Sequence, residues 1–308
     1  MKPTVITYPS RDGKTTIYAE KFVPDREIKA ILIVAHGMNE YFGRYREFSE
    51  VLSSEGYLVA GPDHLGHGHT ARDYQKEFGY FADEDGATVI VRDLHRLKKL
   101  IQADYPEKPI FILGHSMGSF ILRNYIQMYG TGIRGAIIIG TGSFKGFLYS
   151  LSIPYIHMSA FFHGWHYKDH FYTSLTFGSY AKRFSEDGTS GWISVRKQEA
   201  DPEEKSLIGD EFTLNAYLGL NHLIERMQDR KRLEQIPKDL PIFLMSGEED
   251  PVGGNKGSKV KEVYREFKDL GLSDVRIKLY PGDRHEIIHE DDRFNVFFDI
   301  IGFMKDLS

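Results

Sequence analysis

Apolar residues recur along this chain in short unbroken runs separated by longer amphipathic stretches. Residues 30–35 (AILIVA) form a run that stops at His36-Gly37, the pattern of a strand buried on both faces in a parallel sheet. Over residues 44–54, Tyr45, Phe48, Val51 and Leu52 return at helical spacing, and the pattern closes at Gly56. A second buried strand is predicted over 57–60, followed by a glycine-rich loop over 61–69. Val89, Val91, Leu94, Leu97, Leu100 and Ile101 mark a helix over 88–103, stopped before Pro106. Strand 110–113, helix 117–129 ended by Gly130, and strand 136–139 (AIII) continue the alternation.

Then the character changes. Between residues 144 and 192 fall 14 of the chain's 41 aromatic residues, both tryptophans among them, in 49 of its 308 positions. The alternation resumes with a helix over 214–227, a strand over 242–245, a helix over 260–270, a strand over 275–280 and a last helix over 292–304. Alternating buried strands and helices predict an α/β fold built on a doubly wound, mostly parallel sheet, with right-handed crossovers and its site at the carboxyl ends of the strands. The aromatic segment interrupts that order and reads as an inserted cap. The expected division is a core in two parts, 1–143 and 213–308, with the cap over 144–212.

Composition narrows the function classes. With 41% hydrophobic and 27% charged residues the chain can bury a large core. A net charge of −5 leaves no broad basic surface for nucleic acid. There are no cysteines, which excludes disulfides, thiolate metal sites and a cysteine nucleophile. The first twenty residues lack an apolar signal-peptide region, and no run approaches ~18 apolar residues, so neither export nor a membrane-spanning helix is expected. The expected address is cytoplasmic.

The chemistry concentrates at Gly114-His115-Ser116-Met117-Gly118, a G-x-S-x-G pentapeptide with a predicted strand before it and a helix after it. A sharp strand-to-helix turn exposes the Ser116 hydroxyl at the sheet edge, and the helix N-terminus offers backbone N–H groups to an oxyanion. The ordinary alternative is a serine N-cap between two glycines. A serine nucleophile needs a base and the base an orienting acid, in the chain order Ser, acid, His for this turn. The loop after strand 242–245 offers Glu248, Glu249 and Asp250; the loop after strand 275–280 offers His285, with His289 four residues on. Two histidine groups invite a metal reading. His163, His166 and His170 are spaced to share one helix face, but no H-E-x-x-H pattern completes a site, and a polar face is expected. His64, His67 and His69 sit in the glycine-rich loop.

These motifs resemble the monoacylglycerol lipase and lysophospholipase branch of the α/β-hydrolases. The matching stretches are His36-Gly37-Met38-Asn39-Glu40, Asp63-His64-Leu65-Gly66-His67-Gly68, GHSMG at 114–118, SGEEDPV at 246–252 and YPGDRHE at 280–286. Inside the cap, Thr176-Phe177-Gly178-Ser179-Tyr180 resembles bacterial members, whereas Trp192-Ile193-Ser194-Val195-Arg196 departs from their charged continuation. The resemblance implies a triad of Ser116, Asp250 and His285, and an oxyanion hole made by the backbone N–H groups of Met38 and Met117. It also implies that the loop carrying His64, His67 and His69 is a structural turn, and that no metal or organic cofactor is needed. The implied activity is hydrolysis of carboxylic esters, with a monoacylglycerol or lysophospholipid as substrate, its acyl chain buried by the cap, and with transient contact to a membrane surface left open. The alternatives are a general small-molecule carboxylesterase or peptidase, and a non-catalytic binding protein of the same fold.

Overall fold

The apolar runs become the middle of one sheet. The computed structural model describes residues 2–73, 77–145, 147–184 (147–149 by backbone alone), 190–196, 202–209 and 211–308. The chain opens with β1 (Thr4–Pro9), β2 (Thr16–Phe22), β3 (Ala30–Ala35), α1 (Arg46–Ser54), β4 (Tyr57–Pro62) and α2 (Gly68–Asp73). It continues with α3 (Gly86–Asp104), β5 (Ile110–His115), α4 (Met117–Tyr129) and β6 (Gly135–Ile139). After α5 (Phe147–His163), α6 (His170–Arg183) and α7 (Pro202–Leu207) come α8 (Leu214–Met227) and α9 (Arg230–Leu233). The last elements are β7 (Ile242–Gly247), α10 (Ser258–Asp269), β8 (Val275–Tyr280) and α11 (Arg293–Leu307).

Among the described residues eight strands form one sheet in the order β1-β2-β4-β3-β5-β6-β7-β8. The strands from β4 to β8 run parallel, and β1 and β2 join that edge antiparallel. Because successive side chains on a strand point to opposite faces, each run feeds two cores. Ile31, Ile33 and Ala35 of β3 pack on one face with residues of α3, α4 and α8. Leu32 and Val34 pack on the other with residues of α1 and α11. This is the doubly wound architecture that the alternation predicts.

Two features differ from the sequence expectation. The hairpin β1–β2 was not anticipated: β1 lies at the sheet edge with only Tyr8 buried, so its sequence carries little of the apolar signal that marks the inner strands. The shared helix face for His163, His166 and His170 does not form. α5 ends at His163, Gly164 follows with φ +84°, and α6 starts at His170. His163 stacks on Tyr167, His166 pairs with Glu77 and stacks on Tyr80, and His170 pairs with Glu211 at 2.6 Å.

The aromatic segment lies between β6 and α8; its residues 146, 185–189, 197–201 and 210 lie outside the described residues. The chain rejoins the core at α8, where Asn124 Nδ2 of α4 donates to the Leu223 carbonyl at 2.9 Å. Among the described residues no helix is long and apolar enough to cross a membrane.

Candidate active site

The turn from β5 into α4 consists of Ser116, with φ 53° and ψ −119°. A non-glycine residue at positive φ is strained, and here the surrounding chain enforces it. A Cβ on Gly114 would lie 2.2 Å from the Gly118 carbonyl oxygen, and one on Gly118 would lie 1.9 Å from the Ala35 carbonyl oxygen, so both flanking positions must be glycine. The Ser116 N–H donates to the Ile139 carbonyl at 3.0 Å, and Ser119 Oγ donates to the Ser116 carbonyl at 2.6 Å. Met117, just after it, begins α4, so its N–H has no intrahelical acceptor. Met38 follows β3 on the neighbouring loop. Ser116, Met38 and Met117 line one cavity.

His285 reaches the same cavity from the loop after β8. Its Nδ1 lies 3.0 Å from Oδ1 of Asp250, on the loop after β7. Asp250 is fully buried; its Oδ1 also accepts from the Val252 N–H at 2.8 Å, and its Oδ2 accepts from Ser246 Oγ at 3.3 Å. A carboxylate only accepts, so Nδ1 of His285 donates to Asp250, and Nε2 is the ring nitrogen left outside that contact. Among the described residues that Nε2 has no hydrogen-bond partner. The competing acids separate clearly. Glu249 is at the surface and pairs with Arg183, and Glu248 meets β8 through its backbone N–H. His289 is half-buried in the cavity wall, where desolvation first and the Arg44 guanidinium second push its imidazole down to about 4.

A buried ionic cluster underlies these loops, and the sequence reading did not anticipate it. Glu40 accepts from the Gly37 N–H, Tyr45 OH (3.0 Å), Arg44 Nη1 (2.9 Å) and His115 Nδ1 (3.2 Å). Arg44 also donates to both carboxylate oxygens of Glu286, at 2.8 Å each. His115 Nε2 lies 3.2 Å from the His285 carbonyl. Since a carboxylate and a carbonyl both accept, His115 donates from both ring nitrogens and is an imidazolium. Burial alone would push the Glu40 carboxyl up, but the His115 hydrogen bond and the Arg44 charge outweigh it and hold it down at about 2. Burial opposes the charge on His115 as well, and Glu40 overcomes it, so the imidazole is raised. Two carboxylates and two cations balance, as buried charges require. The cluster ties together the loop after β3, the residue before Ser116 and the residue after His285. The i, i+4 spacing of Glu40 and Arg44 was the available signal.

The loop carrying His64, His67 and His69 braces the same region. Asp63 accepts from the Phe42 and His69 N–H groups, both at 2.8 Å, and the His64 N–H donates to His36 Nε2 at 3.0 Å. Burial leads in lowering His36, His64 and His67, so these rings pack neutral. Among the described residues no group of three or more His, Asp or Glu side chains converges as a metal-ligand set.

The cavity holds about 940 Å³, within the range of small-molecule sites. The cap aromatics divide. Tyr155, Phe177, Tyr180 and Trp192 line the cavity, whereas Phe161, Phe162 and Phe171 point outward and are 83%, 72% and 67% exposed.

Known proteins resemble this chain in sequence and in fold. A family model described as "Serine aminopeptidase, S33" matches residues 26–292. Monoglyceride lipase of Rattus norvegicus is 36% identical over 105 residues, 34% of this chain and 32% of that protein. Such matches span about a third of the length of the mammalian relatives. Monoglyceride lipase of Saccharomyces cerevisiae is 24% identical over 289 residues, 88% of this chain and 83% of that one. Among solved structures, a thermostable carboxyl esterase from Bacillus coagulans superposes with a TM-score of 0.88 at 29% identity, covering 100% of this chain and 99% of that one. The α/β-hydrolase resemblance read from the motifs therefore holds across the whole sheet, and the chain belongs to the serine aminopeptidase, S33, family.

Proposed function

We propose that this protein hydrolyses carboxylic esters of a single acyl chain, a monoacylglycerol or lysophospholipid, with Ser116 as nucleophile, His285 as general base and Asp250 orienting the base. The observation that carries the reading is the buried 3.0 Å contact between Asp250 and His285 at a cavity that the strained Ser116 also lines. His285 Nε2 takes the Ser116 proton as Oγ attacks the ester carbonyl, and the Met38 and Met117 N–H groups hold the oxyanion. The imidazolium then protonates the departing alcohol. Water, deprotonated by the same nitrogen, releases the acid and restores Ser116. Asp250 remains a carboxylate throughout. The sequence needs no metal or organic cofactor for any of these steps.

Several features support an ester of one acyl chain. The cavity wall is mainly apolar, with Leu151, Leu175, Phe177 and Leu220 along it. Glu40 and Glu286, which could otherwise hold the ammonium of an aminopeptidase substrate, are already engaged by Arg44 and His115. The outward Phe161, Phe162 and Phe171 form an apolar face suited to transient contact with a lipid surface. The cap over 144–212 as a separable unit and a cytoplasmic address belong to the same proposal, and limited proteolysis and cell fractionation test them.

Labelling by a fluorophosphonate probe, followed by a hydrolysis panel of monoacylglycerols, lysophospholipids, short nitrophenyl esters and peptide amides, tests the whole reading. Ester turnover with long-chain preference is expected. Amide turnover exceeding ester turnover would replace it with the peptidase alternative, and no labelling would leave a binding protein.

A further inference from the structure

The loop that carries His285 is clasped from the cap side by residues 190–196. Glu290 is buried, and its carboxylate accepts from Ser194 Oγ (2.8 Å), from the Val195 N–H (3.0 Å to each oxygen), and from the N–H groups of Arg196 and Arg284 (3.1 Å each). Alongside, the Glu286 N–H donates to the Ile193 carbonyl at 2.8 Å and Arg284 Nη1 to the Gly191 carbonyl at 2.5 Å. Among the described residues every hydrogen-bonding group aimed at Glu290 is a donor, a set that a carboxylate satisfies and a carboxamide, with its own N–H₂, does not.

The residue inside this clasp is Trp192. Its ring lies 5.0 Å from the His285 ring, centroid to centroid, at 44°. The Tyr180 ring packs against Trp192 at 5.5 Å, and the Phe177 ring lies parallel to Trp192 at 6.3 Å. Asp250 fixes His285 only through Nδ1, which leaves rotation about that contact to be limited by packing. An indole also favours a neighbouring cation, so it stabilises the imidazolium that acyl transfer generates.

We infer that Glu290 is a positioning residue for His285, acting through Trp192: it fastens residues 190–196 to the histidine loop and so sets the indole against the imidazole. This inference rests on His285 being the general base. The titratable and charged groups around the imidazole are Asp250, His115 at 4.9 Å between ring centroids, and the adjoining Arg284 and Glu286.

The test uses the full chain and a short soluble nitrophenyl ester. Glu290→Gln and Trp192→Leu are each expected to lower kcat about tenfold. The KM of the short ester should change less than about threefold. Trp192→Phe should recover most of the loss, and the double variant should be no worse than the poorer single one, because both act through one contact. The chain has two tryptophans, so Trp165→Phe leaves Trp192 as the sole indole reporter. A protonated imidazole quenches an adjacent indole. Emission in that background should therefore fall on acidification, and adding His285→Gln should abolish the fall.

Wild-type kcat in folded Glu290→Gln and Trp192→Leu preparations would overturn the inference, as would Trp192 emission indifferent to His285→Gln. If Glu290→Gln does not fold, the Trp192 variants and the fluorescence titration still decide it. Turnover surviving in His285→Gln would instead overturn the assignment of the base. Loss of turnover in His285→Gln alone would leave that assignment standing and remove only the role of Glu290 and Trp192.

Discussion

Asp250 Oδ1 and His285 Nδ1 meet at 3.0 Å although 35 positions separate them, and the acid is the only one of three adjacent carboxylates to turn inward to the imidazole. Asp250→Asn is therefore expected to lower kcat on the order of 10⁴-fold, because an amide favours the wrong imidazole tautomer. Glu249→Gln removes only a surface ion pair and should cost less than about tenfold. Steady-state kinetics of the two variants check this directly; a crippled Glu249→Gln beside a mild Asp250→Asn would reassign the acid.

Ser116→Ala should lower turnover on the order of 10⁶-fold while leaving the fold intact. Removing Oγ does not disturb the hydrogen bonds that hold the turn, which run through the Ser116 backbone. Circular dichroism establishes the fold and an active-site titration excludes wild-type contamination. A tenth of wild-type turnover in such a preparation would rule out this nucleophile.

The His115–Glu40 pair should make stability depend on pH in a defined window. Glu40 is lowered from an ordinary 4.5 to about 2, so its contribution is present above pH 4.5 and lost as pH falls toward 2. His115 is raised from an ordinary 6.5, so its contribution is complete below 6.5 and lost as pH rises through the raised value. The two overlap fully between these limits. The Tm difference between wild type and His115→Gln should be largest from pH 4.5 to 6.5 and narrow on either side. Thermal melts across pH 4 to 9 measure it, and a gap independent of pH would mean that His115 is not charged.

Chain-length preference tests what the inward cap aromatics do. Each methylene buried contributes up to ~0.8 kcal/mol, nearly fourfold in kcat/KM. Butyrate and longer monoacylglycerol esters, compared below their critical micelle concentrations, should differ by well over tenfold. Phe177→Ala should flatten the series without abolishing short-ester turnover, since Ser116 and His285 stand on the core. A series that falls beyond butyrate would leave a general esterase.

The outward aromatics predict a different phenotype. Phe161→Ser with Phe162→Ser should leave rates on a dissolved short ester within about twofold, as exposed positions far from packing generally allow. Sedimentation with phosphatidylcholine vesicles should fall. Unchanged vesicle binding would remove the lipid-surface role of this face.

Ser116 and Asp250 could be picked out as candidates because each follows an apolar run buried on both faces, and His285 because it follows β8, an edge strand whose sequence VRIKLY alternates apolar and basic residues. The glycines at 114 and 118 were legible for a related reason: their backbones are pressed against carbonyl oxygens, which leaves one residue type at each position. The choice of Asp250 over Glu248 and Glu249 was not in the local pattern. It came from family resemblance, and the geometry depends on which carboxylate the loop turns inward.

By itself, then, the sequence determined the periodicities, and with them the layered sheet, the order of the loops and the residue types able to do acyl transfer. Only the tertiary structure decided which charges are buried together. Glu40 and Arg44 look like a surface i, i+4 pair, and Glu286 and Glu290 like solvated loop acids. The fold closes over them, with His115 and Glu286 joining the first pair and residues 190–196 seated on Glu290. The pairing energy of buried charges depends on distance and dielectric across segments remote in sequence, and neither quantity is encoded in local pattern. The cap shows the same division. Its aromatic richness is a property of composition, but whether a ring faces the cavity, the imidazole or solvent is settled by the tertiary placement of α5, α6 and residues 190–196.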